Sequence, residues 1–314
     1  MTKVACIGEC MIELKQADGG LFSRGYGGDT LNTSVYLARL GVGVDYITAL
    51  GDDPMSEEMM LGWATEGVGA SRVTRLKGKL PGIYMIQTDS LGDRRFFHWR
   101  ENSAARSLMD LPETGDMLDS LATYDVVYLS AITLSIYSPQ GRTKLIGALN
   151  RARKHGALIA FDTNFRARGW PDPDVARAVF NEAFAVSDMV LASTEDLLPL
   201  YPDESDEQLM ARIPCNEAVL KLLSPGSIVR LEGVSQIVRP QPVTRPVVDT
   251  TAAGDSFSAA YIAARLAGTE PVEAAHAGHR LGGVVVCYPG AIIPRSAMPP
   301  GILPEPGSSR RALP

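Results

Sequence analysis

The sequence predicts an α/β fold: a mostly parallel sheet sandwiched by helices, with a small β-sheet lid projecting from it. Two observations carry this expectation. Short β-rich runs alternate with helical patterns along most of the chain, which favours parallel strands joined by crossover helices. Residues 82–100 break that rhythm with two neighbouring strand-like runs. The length, 314 residues, accommodates one large α/β domain or two medium ones.

The elements follow in order. Val4–Ile7 reads as the first strand, and Leu31–Leu40 as a helix with Leu31, Val35 and Ala38 on one face. Val44–Ala49 is a strand and Ser56–Glu66 a helix. Gly82–Thr88 and Arg94–Arg100, separated by Asp89-Ser90-Leu91-Gly92-Asp93, form a hairpin with a Gly-containing loop. Extended pieces near Met11–Leu14 and Leu21–Gly25 are placed to join it. Strands at Val126–Leu129, Leu158–Phe161 and Met189–Ala192 alternate with helices at Arg142–Lys154 and Val175–Val186. The expected organisation is one domain over 1–299, with a discontinuous lid at about 11–26 and 81–100. The tail at 300–314, rich in Pro, Gly, Ser and Arg, is expected to be poorly ordered.

Composition narrows the function. Hydrophobic content of 45% and charged content of 21% are those of a soluble globular protein. No apolar run is long enough to span a bilayer, so no membrane partner is expected. The first residues lack a signal peptide's apolar region and read as a strand. A net charge of −6 argues against a general nucleic-acid binder. Cys6, Cys10, Cys215 and Cys287 make no C-x-x-C pair, which points to a reducing, cytoplasmic compartment. His276 and His279 lie three apart with no third metal ligand near in sequence.

The most informative segment is Asp249-Thr250-Thr251-Ala252-Ala253-Gly254-Asp255-Ser256-Phe257, which leads from an apolar stretch into a long helical pattern. Small residues at 252–254 leave helix N-terminal N–H groups uncovered, a ready anion site. A carboxylate there, Asp255, would repel an anionic substrate. It makes sense as a proton acceptor beside a transferring phosphate. The plain alternative is a helix cap. A second segment is Gly25-Tyr26-Gly27-Gly28-Asp29-Thr30-Leu31-Asn32. It is not a dinucleotide fingerprint, because its sixth position is Thr30 and it lies far from the first strand. It reads as a flexible turn capped by Asp29. It also suits a sugar site, where Gly27 and Gly28 admit a ligand to the backbone and Asp29 and Asn32 bond hydroxyls. No Walker A sequence is present. Asn164 and Arg166 follow the strand ending at Phe161, where open α/β sheets bind ligands. An arginine fork suits a carboxylate, whereas a neutral hexose needs none.

Both signature segments resemble those of the ribokinase-like (PfkB) carbohydrate kinases, and the wording Gly-Gly-Asp-Thr-Leu-Asn looks like the 2-keto-3-deoxygluconate kinase branch. The resemblance covers roughly residues 3–298. It implies a ribokinase-like fold and ATP-dependent phosphorylation of an acid sugar at its terminal hydroxyl, giving the 6-phosphate and ADP. It makes Asp255 the catalytic base and Ala252, Ala253 and Gly254 the anion hole, with Ala252 where many members have Gly and Thr30 replacing a small residue. It matches Tyr84, Arg100 and Arg166 to acid-sugar positions, with His98 where relatives have Tyr. Gly27, Gly28, Asp29, Asn32 and Asn164 complete the sugar side.

On the nucleotide side, Ser193-Thr194-Glu195-Asp196 looks like a variant of the family's Asn-x-x-Glu motif, with oxygen chemistry suited to hydrated magnesium near Asp196. A helix cap is an equal alternative. Lys221 and Gly226 match a segment near the nucleotide, although Leu223 replaces a Gly, and His279 matches a position beside the adenine. ATP and Mg²⁺ are the implied cofactors, with magnesium held through phosphates and water and a monovalent cation left open. Family lids often pair, so a homo-oligomer through the lid is expected. Two alternatives stay open: a kinase for another sugar or keto acid, and a non-catalytic nucleotide- or sugar-binding regulator.

Overall fold

The computed structural model describes residues 2–88 and 94–303. The expected hairpin loop at 89–93 and the tail from 304 to 314 lie outside the described residues. The strands, in chain order, are β1 (Lys3–Ile7), β2 (Met11–Gln16), β3 (Phe22–Gly27), β4 (Gly43–Gly51), β5 (Val68–Gly69), β6 (Val73–Leu76) and β7 (Ile83–Thr88). They continue as β8 (Arg94–Trp99), β9 (Val126–Ser130), β10 (Leu158–Asp162), β11 (Met189–Ser193), β12 (Glu217–Lys221), β13 (Ser227–Leu231) and β14 (Val234–Val238). The six longest helices are α1 (Asp29–Arg39), α2 (Pro54–Glu66), α3 (Pro139–Lys154), α4 (Pro173–Val186), α5 (Ala253–Leu266) and α6 (Pro271–Val285).

The large sheet runs β14-β13-β12-β11-β10-β9-β1-β4-β5, with β6 also on β4. From β12 to β5 every pairing is parallel, while β13 and β14 add an antiparallel edge. Alternation along each strand feeds two cores. Ala5 and Ile7 of β1 join the cluster of Leu145 and Leu149 from α3 and Phe180 and Phe184 from α4. Val4 and Cys6 face the other way, onto α1, α2, α5 and α6. Helices on both faces are what parallel strands buried on both sides require.

Helices α2, α3 and α4 each begin two or three residues before the point at which the sequence pattern starts them. In each, a proline occupies the first turn and the preceding Asp53, Ser138 or Asp172 accepts backbone N–H bonds. Proline belongs there because its missing N–H would go unpaired in any case. The segment 214–246, to which the sequence assigns no element, contains β12 to β14.

The second sheet runs β3-β2-β7-β8, with β2 antiparallel to β3 and parallel to β7, and β7 antiparallel to β8. This is the expected small sheet, built from the hairpin and the two extended pieces. The chain leaves β1, forms β2 and β3, and returns to the large sheet at α1, so the small sheet stands at the carboxyl end of β1.

Candidate active site

The site is built where α1 and α5 begin, against the carboxyl ends of β1, β10, β11 and β12. Residue Ala252 precedes α5 with φ 61° and ψ 15°, a left-handed conformation. That geometry favours glycine and costs alanine roughly 1–2 kcal/mol. Asp249 anchors the turn by accepting from Thr251 N at 2.9 Å and Gly290 N at 2.7 Å. Beyond the turn, Ala253 and Gly254 present almost no side chain, and the Lys221 ammonium stands 3.5 Å from where a Cβ on Gly254 would lie. The lysine therefore stands at the N-terminus of α5, where helix amides suit an anion.

Asp255 lies in the first turn of α5 and is hydrogen-bonded by Asn32 Nδ2 at 2.8 Å. The Asn32 Oδ1 is buried without a partner. Asp29 is not the cap of α1 that the sequence suggests. Gly28 occupies the N-cap position, Asp29 is the first helical residue, and its carboxylate accepts from Asn164 Nδ2 at 2.9 Å. Asp162 joins them, accepting from Ser258 Oγ at 2.7 Å, Asn164 N at 3.1 Å and Lys221 Nζ at 3.4 Å. Burial, then repulsion from Asp29, pushes the Asp255 carboxyl up to about 8, against the Asn32 bond that lowers it. Burial likewise raises Asp29. Three carboxylates from distant segments thus crowd one buried place opposite one lysine, the kind of setting that readies a base. Sequence reasoning did not single out Asp162 or Ser258. Their only signal was position, one at a strand end and the other one turn beyond Asp255.

On the sugar side, a Cβ on Gly27 would meet the Tyr84 hydroxyl at 2.1 Å, and one on Gly28 would meet Glu9 O at 2.2 Å. Both glycines are needed for close approach. Thr30 is buried and hydrogen-bonded to Tyr46 OH at 3.0 Å, in space left by Gly8. Tyr84 donates to Glu13 and stacks on His98 at 5.9 Å between centroids. Burial and the Glu13 charge raise the Tyr84 phenol, while burial followed by Arg100 lowers His98. Arg100 is not an open fork, because it is paired with the buried Glu9. The Arg166 side chain is 63% exposed, donates to Phe165 O at 2.7 Å and lies 3.5 Å from Asp196.

On the other side of α5, Ser193 caps the turn Thr194–Leu197 by accepting from Asp196 N at 3.0 Å. Asp196 turns inward, accepting from Ser193 Oγ at 2.7 Å, Thr163 Oγ1 at 2.9 Å and Phe165 N at 3.0 Å. Burial, then Asp162, raises its carboxyl. Gly226 adopts φ 146°. His279 is wedged between Ser227 Oγ at 3.0 Å and the Phe257 ring at 4.9 Å, and burial lowers it to about 4. Lys221 belongs with the carboxylates as much as with this side. Leu223, Val243, Val247 and Val248 stand exposed.

A helix N-terminus stripped of side chains, with a buried carboxylate one turn in and a small sheet at its mouth, is an arrangement for passing phosphate to a hydroxyl. The pfkB family carbohydrate kinase model matches residues 1–298. The chain belongs to the pfkB family of carbohydrate kinases. This kinase is 40% identical to the 2-dehydro-3-deoxygluconokinase of Escherichia coli K12 over 306 residues, covering 95% of this chain and 99% of that one. It is 39% identical to the enzyme of that name from Dickeya dadantii, covering 94% and 98%. Its fold is similar to the crystal structure of 2-dehydro-3-deoxygluconokinase from Thermotoga maritima, with a TM-score of 0.79, 22% identity, and 93% and 96% of the two chains covered. The ribokinase-like expectation therefore holds for the kinase. Among its described residues no helix is long and apolar enough to cross a membrane.

Proposed function

We propose that this kinase phosphorylates 2-keto-3-deoxygluconate at its terminal hydroxyl, with ATP as donor, giving the 6-phosphate and ADP. The observation that carries the reading is the buried Asp255, held by Asn32 at 2.8 Å beside the α5 N-terminus. In this reading Asp255 takes the proton of the terminal hydroxyl as that oxygen bonds to the γ-phosphorus and the bond to ADP breaks. Backbone N–H groups at 252–254 and the Lys221 ammonium stabilise charge on the transferring phosphoryl. Gly27, Gly28, Asn32 and Tyr84 position the sugar chain, and Arg100 and Arg166 hold its carboxylate. His98, Asp29 and Asn164 support these groups through the contacts described above.

Magnesium would offset phosphate charge. Ser193 and Asp196 already spend their oxygens on each other and on Thr163 and Phe165, which fits an ion held through phosphates and water rather than bound directly. Gly226, His279 and the exposed apolar residues around 243–248 form the nucleotide side in this reading. The lid comprises about 11–26 and 81–100 of a single domain. The exposed Phe22, Phe96, Phe97 and Trp99 on it support pairing with a second copy. Four free cysteines suit a reducing, cytoplasmic setting.

The test compares wild type, Arg166→Ala and Arg166→Lys on 2-keto-3-deoxygluconate and on a neutral ketose. Loss of a charge-assisted fork should lower kcat/KM for the acid sugar about tenfold or more. Lysine should not fully restore it, because an ammonium lacks the fork. The neutral ketose should be a poor substrate and change little. Equal losses on both substrates would make Arg166 structural and remove the acid-sugar assignment's main physical support.

A further inference from the structure

Glu9 lies just beyond β1, and its side chain is only 1% exposed. Its ion-pair partner, Arg100, directly follows β8 of the small sheet and is 19% exposed. The pair therefore crosses the seam between the two sheets, close to where Gly82 O accepts from Ile12 N at 2.8 Å. The packing around it is tight. A Cβ on Gly82 would lie 3.0 Å from Glu9 Oε1 and 3.1 Å from the Arg100 Cβ, and the Glu9 carbonyl sits under Gly28. Only half the fork is made. Arg100 Nη2 bonds Glu9 Oε2, whereas Arg100 Nε and Glu9 Oε1 are both buried with no partner.

A buried ion pair is a poor source of stability, and one with unpartnered atoms is poorer still. Geometry is what this pair supplies. It fixes one edge of the guanidinium against the large sheet and leaves Nη1 without a hydrogen bond among the described residues. We propose that Glu9 is a positioning residue, which holds Arg100 across the seam so that its Nη1 edge meets the substrate carboxylate. The inference rests on the acid-sugar reading of Arg100. It adds that the grip on the carboxylate depends on Glu9 as well as on the arginine itself.

The test is a double-mutant cycle of Glu9→Gln, Arg100→Gln and the two together, with steady-state kinetics for 2-keto-3-deoxygluconate and ATP. Glu9→Gln should raise KM for the acid sugar about tenfold, as expected when a charge-assisted contact is lost. Its kcat and its KM for ATP should stay within about twofold of wild type. In the Arg100→Gln background the Glu9 substitution should add nothing. If Arg100→Gln alone leaves the acid-sugar KM unchanged, the reading of Arg100 fails and the inference goes with it. If Arg100→Gln raises KM while Glu9→Gln shifts it equally in both backgrounds, or not at all, the positioning role alone is overturned. Should Arg100→Gln fail to fold, Glu9→Asp serves instead, since it keeps the charge but draws it back by one methylene. It should raise the acid-sugar KM with the ATP KM unchanged, and a wild-type acid-sugar KM would overturn the proposal.

Discussion

Replacing Asp255 by Asn separates catalysis from stability at one position. The amide keeps the shape and can still meet Asn32, but it is no base, so kcat should fall about 10²–10⁴-fold with sugar affinity largely kept. The stability effect has the opposite sign. In the folded protein burial, and then repulsion from Asp29, push the carboxyl up to about 8 from its ordinary 3.8. Between those values the folded state holds a proton that the unfolded chain has lost. Stability therefore falls as pH rises across that window. The full difference is on the order of 6 kcal/mol. An amide carries no such penalty. The variant's melting temperature should exceed that of wild type by several degrees at pH 8, and the gap should close towards pH 4. The wild-type kcat/KM should rise with pH through about 8 as the base loses its proton. A coupled ADP-release assay and thermal melts from pH 4 to 9 measure all three. Activity within tenfold of wild type, or a melting temperature below it at pH 8, would refute the reasoning.

Three further outcomes follow from the same geometry. Hydrogen exchange of Ile83–Thr88 and Arg94–Trp99 should slow when the acid sugar is added, as a closing lid excludes water, and unchanged exchange at saturation would count against closure. Ala252→Gly should relieve the left-handed backbone at φ 61° and, after glycine's entropy cost, gain about 0.5 kcal/mol in urea unfolding with kcat unchanged. A clear loss of stability would mean that the alanine methyl matters more than the strain. Glu217→Ala should cost about 3–5 kcal/mol, because it strands Arg265, which is bonded to Glu217 at 2.8 and 2.9 Å. Activity per folded molecule should persist, since Glu217 begins β12 at the end of the sheet away from the site.

The sequence by itself determined the elements whose signal is local. Alternation marked the parallel strands β1, β4, β9, β10 and β11 but not β12, the 82–100 region marked the small sheet, and the small residues before Asp255 marked the start of α5. Those features depend on spacing and side-chain size, which a linear chain displays. Prolines 54, 139 and 173 misled only the helix starts, because a first-turn proline and a helix breaker are the same residue until the cap is seen. Tertiary structure decided the rest. Asp29, Asp162 and Asp255 are far apart in sequence, and the sheet and two helix N-termini bring them together opposite Lys221. Asp29 read as a cap because its partner, Asn164, lies across the fold. Arg100 and Asp196 read as open groups, yet Glu9 claims the first, and Ser193, Thr163 and Phe165 claim the second. An isolated motif shows which charges a site contains. Only packing shows which of them are already paired, because burial forces each polar group to find its partner wherever the fold places one.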